Sequence, residues 1–286
     1  MSKSNKILLI VALLLILIGS VIFVGALFGS NWDFTNLSQE EYETITTNIN
    51  EEFTDILIHT DEAEVIFAPS NDGTCKVVLY KSENVGHSAS VHNGALVIKL
   101  IDGRKWYEHI GIYHVSPRIT LYLPNTEYSK VSVECTTGGV NIQDISADSL
   151  NISVSTGDVT LTNATCNGDI RINVSTGKAN VTNVTCQSFF SDGDTGDLTM
   201  KNMIASGKIS IERGTGDVRF DNCDAAEISV ETDTGDVRGI LLSNKVFLIE
   251  THTGRVRVPK SDDGGKCEIE TDTGDVIIEI TNKSVE

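Results

Sequence analysis

From Val131 to Ile280 apolar residues recur at every second position in short runs, and successive runs are joined by the dipeptide Thr-Gly. The glycines of these pairs are Gly138, Gly157, Gly177, Gly196, Gly216, Gly235, Gly254 and Gly274, and neighbours in the series lie 19 or 20 residues apart. Aligned on the glycine, the position seven before it holds Val131, Leu150, Ile170, Phe189, Ile209, Ile228, Phe247 and Cys267, and the position two after it holds Val140, Val159, Ala179, Leu198, Val218, Val237, Val256 and Val276. The positions five before and four after are apolar in nearly every copy. Alternation with a period of two marks strands that bury one face, and a fixed period of this length marks stacked structural repeats. Two short strands cannot bury an apolar face by themselves, so each coil must lie on its neighbours about 4.8 Å away. The pattern therefore predicts an all-β fold, a single-stranded β-solenoid or β-helix of eight coils over residues 131–280. Glycine's tolerance of positive φ suits the Thr-Gly turn, and Asn163, Asn183, Asn202 and Asn222 suit a second corner. Gly239 breaks an inner column just where the corner Asn gives way to Leu241, which predicts a bulge there.

The rest of the chain departs from this rhythm. Residues 7–28 are uncharged and apolar, long enough as a helix to cross a bilayer core. They follow a six-residue N-terminus carrying Lys3 and Lys6. A cleaved signal peptide is the rival reading, with Lys3 and Lys6 as its n-region. The helix reading is preferred because no small-x-small site or lipobox Cys follows. With Asp33 the first charge after the span, the positive-inside rule puts the N-terminus in the cytoplasm and the remainder outside the cell. Residues 29–43 read as a tether. Residues 44–130 contain strand-like runs with Asn-Asp-Gly and His-Asn-Gly turns, and are expected to continue the same core and cap its N-terminal end. Within them, residues 101–118 gather aromatic and basic side chains. Arg104, Trp106, Tyr107 and Tyr113 form either a loop covering the end of the core or a contact loop. The tail, 281–286, brings no capping helix, so an open strand edge capable of self-association is expected at the last coil.

Charge narrows the partners. The formal net charge is −18, and beyond residue 28 the chain has 40 acidic residues against 20 basic ones. Such a surface repels nucleic acid, and leaves divalent or peptide cations as candidates. The triplet Asp-Thr-Gly at Asp194, Asp233 and Asp272 is shared with aspartic proteases. It stands here in register with Ser-Thr-Gly, Gly-Thr-Gly and His-Thr-Gly, and turn chemistry accounts for every copy. The residue after each glycine forms a further ladder, in which Lys178 falls between Asp158 and Asp197, and Arg255 between Asp236 and Asp275. Asp197, Asp217 and Asp236 are left without an interposed base, with Asp194 and Asp233 nearby, and are the candidate Ca²⁺ ligands; a solvated acidic face is the competing reading. No other cofactor is indicated. Cys166 and Cys186 occupy equivalent places in adjacent coils, within reach of a disulfide, while Cys135, Cys223 and Cys267 fall on inward columns. Several Asn-x-Ser/Thr sequons arise from the same Asn- and Thr-rich surface.

A Lys-flanked N-terminal helix, an irregular β region ending in Leu121-Tyr122-Leu123-Pro124-Asn125, and copies of the phrase Thr-Gly-Asp-Val resemble the bacterial family of unknown function called putative adhesins, which has a toastrack-like β-solenoid. The resemblance covers residues 45–280. It implies a single-pass envelope protein, in some relatives associated with envelope-stress systems, and supplies no catalytic residue. The expected function is a non-enzymatic binding or scaffolding role at the cell surface, toward a surface protein, a glycan or a cationic peptide. The alternative is a polysaccharide-acting β-helix enzyme. Against it stands coil length, since such enzymes wall a groove with long loops and these coils never depart from 19 or 20 residues.

Overall fold

The computed structural model describes residues 3–29, 43–81, 85–103 and 117–281. The helix α1 (Lys3–Gly29) contains an apolar stretch, Asn5–Gly25, whose side chains are all exposed. It is long and apolar enough to cross a membrane, by length and composition.

The β unit begins with β1 (Glu43–Ile49), β2 (Asp55–Thr60), β3 (Glu64–Pro69), β4 (Cys75–Lys81), β5 (Val85–His92), β6 (Ala95–Asp102) and β7 (Arg118–Leu123). The regular coils follow in β8 (Glu127–Thr137), β9 (Val140–Thr156), β10 (Val159–Cys166), β11 (Asp169–Thr176), β12 (Ala179–Cys186), β13 (Ser188–Thr195), β14 (Leu198–Thr215), β15 (Val218–Thr234) and β16 (Val237–Leu241). The last elements are β17 (Lys245–Thr253), β18 (Val256–Arg257), β19 (Gly265–Thr273) and β20 (Val276–Ile280). From β8 to β16 the strands pair parallel, with register shifts only at the bulge after Ala205 and between β15 and β16. Val131, Leu150, Ile170, Phe189, Ile209 and Ile228 stack in one column, and Val140, Val159, Ala179, Leu198, Val218 and Val237 in another.

Each coil buries more than its Thr-Gly neighbourhood suggested. In the coil around Gly157 the inward residues are Leu150, Ile152, Val154, Val159, Leu161, Ala164 and Cys166, none more than 4% exposed. The corner between Leu161 and Ala164 is Asn163, at φ 53°, and Asp144, Asn183, Asn202 and Asn222 share that left-handed conformation. Their side chains form a ladder: Asn163 donates to Asp144 Oδ1 at 2.9 Å, Asn183 to Asn163 at 3.0 Å, and Asn202 to Asn183 at 2.9 Å. A short amide side chain both tolerates this backbone and supplies the donor and acceptor that bind the next copy.

The turn glycines do lie in one line, but the reason for glycine differs from the expectation. Five of them, Gly138, Gly157, Gly177, Gly196 and Gly216, have φ between 134° and 148°. Gly235, Gly254 and Gly274 lie outside the positive-φ range. What all eight share is the closeness of the adjoining rung. A Cβ on Gly177 would stand 2.1 Å from the Gly157 carbonyl oxygen, and one on Gly254 would stand 1.8 Å from that of Gly274. Steric exclusion by the neighbouring rung, more than turn conformation, excludes every side chain here.

The order of rungs departs from chain order at both ends. β19 pairs with β15 on one side and with β17 on the other, and β20 likewise lies between β16 and β18. The last coil of the chain is thus the second from the end of the stack, and the seventh, around Gly254, is outermost. At the other end β2 and β3 sit between the rung β6–β7 and the rung β8–β9. Antiparallel strands then close that end, β5 against β6, β4 against β7, and β1 against β4. The described strands β1 to β7 thus belong to the same sheet as the coils. Arg104, Trp106, Tyr107 and Tyr113, between β6 and β7 in the chain, lie outside the described residues.

The expected open edge is consequently not the final coil. It is the rung of β17 and β18, where Leu248 and Val256 are about half exposed and Phe247 and Ile249 are only partly buried. The swap begins at Gly239, where pairing of β15 with β16 slips by one residue because β16 lacks the corner Asn, as the bulge expectation required. It is fixed by Lys245, which is 1% exposed. Its ammonium donates to Asp224 Oδ1 at 2.6 Å and to Ser243 Oγ. Lys245 pairs with Gly265 of the inserted rung, and its Cδ would stand 3.6 Å from a Cβ on that glycine. A residue without a side chain leaves the lysine stem room to cross the intervening rung.

Candidate functional site

Two columns of carboxylates run along the stack, and their chemistry differs. The first follows the turn glycines. At each Thr-Gly turn the backbone N–H of the residue after glycine is missed by the rung-to-rung ladder, and an unpaired amide is costly. Where the preceding rung carries Asp at this position, its carboxylate accepts it. Lys178 N–H donates to Asp158 Oδ1 at 2.8 Å, Asp217 N–H to Asp197 at 3.2 Å, Asp236 N–H to Asp217 at 3.0 Å, Asp275 N–H to Asp236 at 2.7 Å and Arg255 N–H to Asp275 at 2.9 Å. The swapped rungs place Asp275 next to Asp236 and Arg255 beyond it, so Arg255 does not stand between two aspartates as the chain order implied.

Nor are Asp197, Asp217 and Asp236 without bases. Lys178 lies 3.3 Å from Asp197, Arg219 3.0 Å from Asp217, and Arg238 2.6 Å from Asp236 and 3.1 Å from Asp275. The Asp236 amide, followed by Arg219, holds the Asp217 carboxyl below the usual carboxylate range, and Arg255 holds Asp275 at about 2. A carboxylate already accepting an amide and facing a guanidinium has little left for a cation. Asp194 and Asp233 are exposed on the outer side of their turns. Among the described residues no three His, Cys, Asp or Glu side chains converge on a metal position. Asp197, Asp217 and Asp236 serve as turn caps and ion-pair partners.

The second column was not singled out from the sequence. Four residues before each turn glycine stand Asp192, Glu212, Glu231, Glu250 and Glu270, on the outward face of β13, β14, β15, β17 and β19. Strand pairing sets Asp192 beside Glu212, Glu212 beside Glu231, Glu231 beside Glu270, and Glu270 beside Glu250. All five are exposed, and none takes part in an ion pair or side-chain hydrogen bond among the described residues. At about 4.8 Å spacing, each neighbouring pair of charges repels by roughly 1 kcal/mol in water. The column is legible in the register of the repeats, and the rung swap changes only the order of its last members, which becomes Glu231, Glu270, Glu250.

Beneath the stripe lies one buried cation. Arg213, 3% exposed, faces inward from β14 and donates through Nη2 to Ser191 Oγ at 2.6 Å. It fills the space left by Gly193, where a Cβ would stand 1.8 Å from Nη1. Burial pulls its pKa down and the Asp192 carboxylate raises it, so the inner cation and the outer stripe are electrostatically coupled.

The cysteines carry no site. Cys166 and Cys186 are one rung apart, as inferred, but both are free thiols, like the other four. Cys166 Sγ donates to the Asp148 carbonyl at 3.3 Å, and burial pushes the Cys186 thiol up to about 12. Cys135, Cys223 and Cys267 are buried in inward columns as expected.

Comparison with known proteins places this architecture. No curated protein matches the chain. Among solved structures, a putative adhesin from Bacteroides fragilis is similar at 16% identity with a TM-score of 0.45, over 85% of this chain and 99% of that one. A putative adhesin from Parabacteroides distasonis is similar at 12% identity and a TM-score of 0.45, again over 85% and 99%. A putative cell adhesion protein from Clostridium sporogenes matches at 11% identity and a TM-score of 0.30, over 84% and 100%. The family model described as Toastrack DUF4097 matches twice, over residues 53–168 and 165–286, which together cover β2 to β20. The chain belongs to the Toastrack DUF4097 family.

Proposed function

We propose that this protein is a non-enzymatic recognition scaffold, tethered by α1 with its N-terminus in the cytoplasm and the solenoid displayed outside the cell. The observation that carries the reading is the column Asp192, Glu212, Glu231, Glu270 and Glu250, five exposed carboxylates held in register, none of them in an ion pair among the described residues. The backbone fixes their spacing, so a partner pays no ordering cost on this side, and a basic polypeptide surface bound along them relieves their mutual repulsion. The column that follows the turn glycines is neutralised internally, as at Asp217 and Arg219, whereas this stripe keeps its charge to offer.

The enzymatic alternative finds little support in Asp217, the residue on which it would rest. Its Oδ1 accepts the Asp236 amide and its Oδ2 faces Arg219, so neither oxygen is placed to move a substrate proton.

The test is binding of a lysine oligomer to the full chain in nanodiscs of neutral lipid. Binding is expected to weaken about tenfold in the triple variant Glu212→Gln, Glu231→Gln, Glu270→Gln, and to fall with added salt over the range in which the Debye length shortens from about 10 Å to 3 Å. Equal affinity for the variant and the parent would refute the assignment of the stripe.

A further inference from the structure

At the capped end of the stack the loops after β1, β3 and β5, together with the link from β7 to β8, surround a cavity of about 630 Å³. That volume suits a ligand of small-molecule size. Its apolar surface comes from Ile49, Phe53, Cys75 and Tyr128, and the rings of Phe53 and Tyr128 stack with centroids 6.0 Å apart. Tyr128 is held in place by burial and by its hydroxyl, which donates to the Pro124 carbonyl at 3.1 Å. The polar part of the wall is of one sign, since Glu51, Glu52 and Glu127 line the cavity and no Lys, Arg or His does. Glu127 is oriented by Asn167, whose side-chain amide donates to its Oε1. Glu51 and Glu52 are exposed and have no ion-pair partner among the described residues.

We propose that this cavity is a binding site for a small amphipathic organic cation, an ammonium or amidinium group carried on an apolar body. Rigid aromatic surface beside uncompensated carboxylates is the chemistry that recognises such molecules. The body is desolvated against Phe53, whose ring is backed by the buried Tyr128, while the head is attracted by Glu51, Glu52 and Glu127 and by the Phe53 ring. A neutral molecule of the same shape leaves the carboxylates unanswered, and an anion is repelled. The site lies apart from the carboxylate stripe, and its existence does not depend on that stripe having a partner.

Calorimetric titration of the full chain in a neutral detergent, with phenethylammonium as the probe and 2-phenylethanol as its neutral counterpart, tests the assignment. Saturable one-site binding of phenethylammonium is expected, with 2-phenylethanol about tenfold weaker or worse. The double variant Glu51→Gln, Glu52→Gln changes only exposed side chains and so keeps the fold. It is expected to lose about tenfold in affinity for the ammonium and nothing for the alcohol, and Phe53→Leu to weaken both. The variant Glu212→Gln, Glu231→Gln, Glu270→Gln is expected to bind the probe as the parent does, which separates failure here from failure of the stripe. Absence of saturable binding, equal affinity for the alcohol, or an unaffected Glu51→Gln, Glu52→Gln variant would each overturn the proposal.

Discussion

The order of the last three rungs rests on the contact of Lys245 with Asp224, and the two partners are not equally replaceable. The Lys245 side chain is 2% exposed and that of Asp224 is 23% exposed. Asp224→Asn keeps an amide oxygen as acceptor beside Ser243 Oγ but removes the counter-charge of a buried ammonium. Removing the counter-charge of a buried ion in this way costs about 3–5 kcal/mol. Lys245→Met keeps the stem over Gly265 and leaves Asp224 with the Ser243 hydroxyl at 2.8 Å and partial access to water, so its cost should be about 1–2 kcal/mol. With both substitutions no charge remains to be stranded, and the double variant should resemble Lys245→Met. Because stacked repeats open locally, the effect should appear first at the end rung and not as a uniform shift in unfolding. Amide hydrogen exchange in β17 and β18 is the suitable assay. Asp224→Asn is expected to lower protection there by about a hundredfold or more, and Lys245→Met by about tenfold, with β10–β12 unchanged in both. Equal effects of the two single variants, or a double variant worse than either, would refute the claim that a stranded charge is what fails.

Three further expectations follow from the geometry. Gly177→Ala would drive a Cβ into the Gly157 carbonyl, and is expected to destabilise the solenoid by about 2–4 kcal/mol in urea titration. Gly73→Ala, at φ +74° but with nothing within 4 Å, should cost only about 1 kcal/mol. His87 is buried with Nε2 on Thr60 Oγ1 at 2.8 Å, and burial lowers its pKa from 6.5 to about 4 despite Asp61. Its neutral form is favoured in the fold, so the stability it contributes is present above pH 6.5 and is lost as pH falls toward about 4. The loss amounts to about 3 kcal/mol, and His87→Gln should flatten that part of the stability curve. The six buried thiols should resist alkylation in the native protein, and all six should be alkylated in denaturant without a reductant. A pair protected under the latter condition would restore the Cys166–Cys186 bridge.

The repeat itself was readable from Val131 to Ile280 because a solenoid translates period-two alternation directly into inside and outside. Thr-Gly turns, Asn corners and inward valines need no long-range information. The Asn163, Asn183 and Asn202 ladder follows once coils are stacked in register, and so does the adjacency of Cys166 to Cys186. The electrostatics were less legible. Asp217 and Asp236 looked unpaired when only bases in their own column were considered, whereas Arg219 and Arg238 reach them from two residues further along the strand. The cavity beside Phe53 and Tyr128 was not visible at all, since loops from four separate places in the chain surround it.

What the amino-acid sequence determined by itself is which way each side chain points, because that depends only on local alternation and on turns of fixed length. Which rung lies beside which was decided by the tertiary structure. The inner columns of the coils around Gly235, Gly254 and Gly274 are nearly interchangeable, and any stacking order satisfies the same alternation. The choice falls to a few irregular residues, the missing corner at Gly239 and the Lys245 that passes over Gly265 to Asp224. Their partners lie about 20 residues away along the chain, and only packing brings them together.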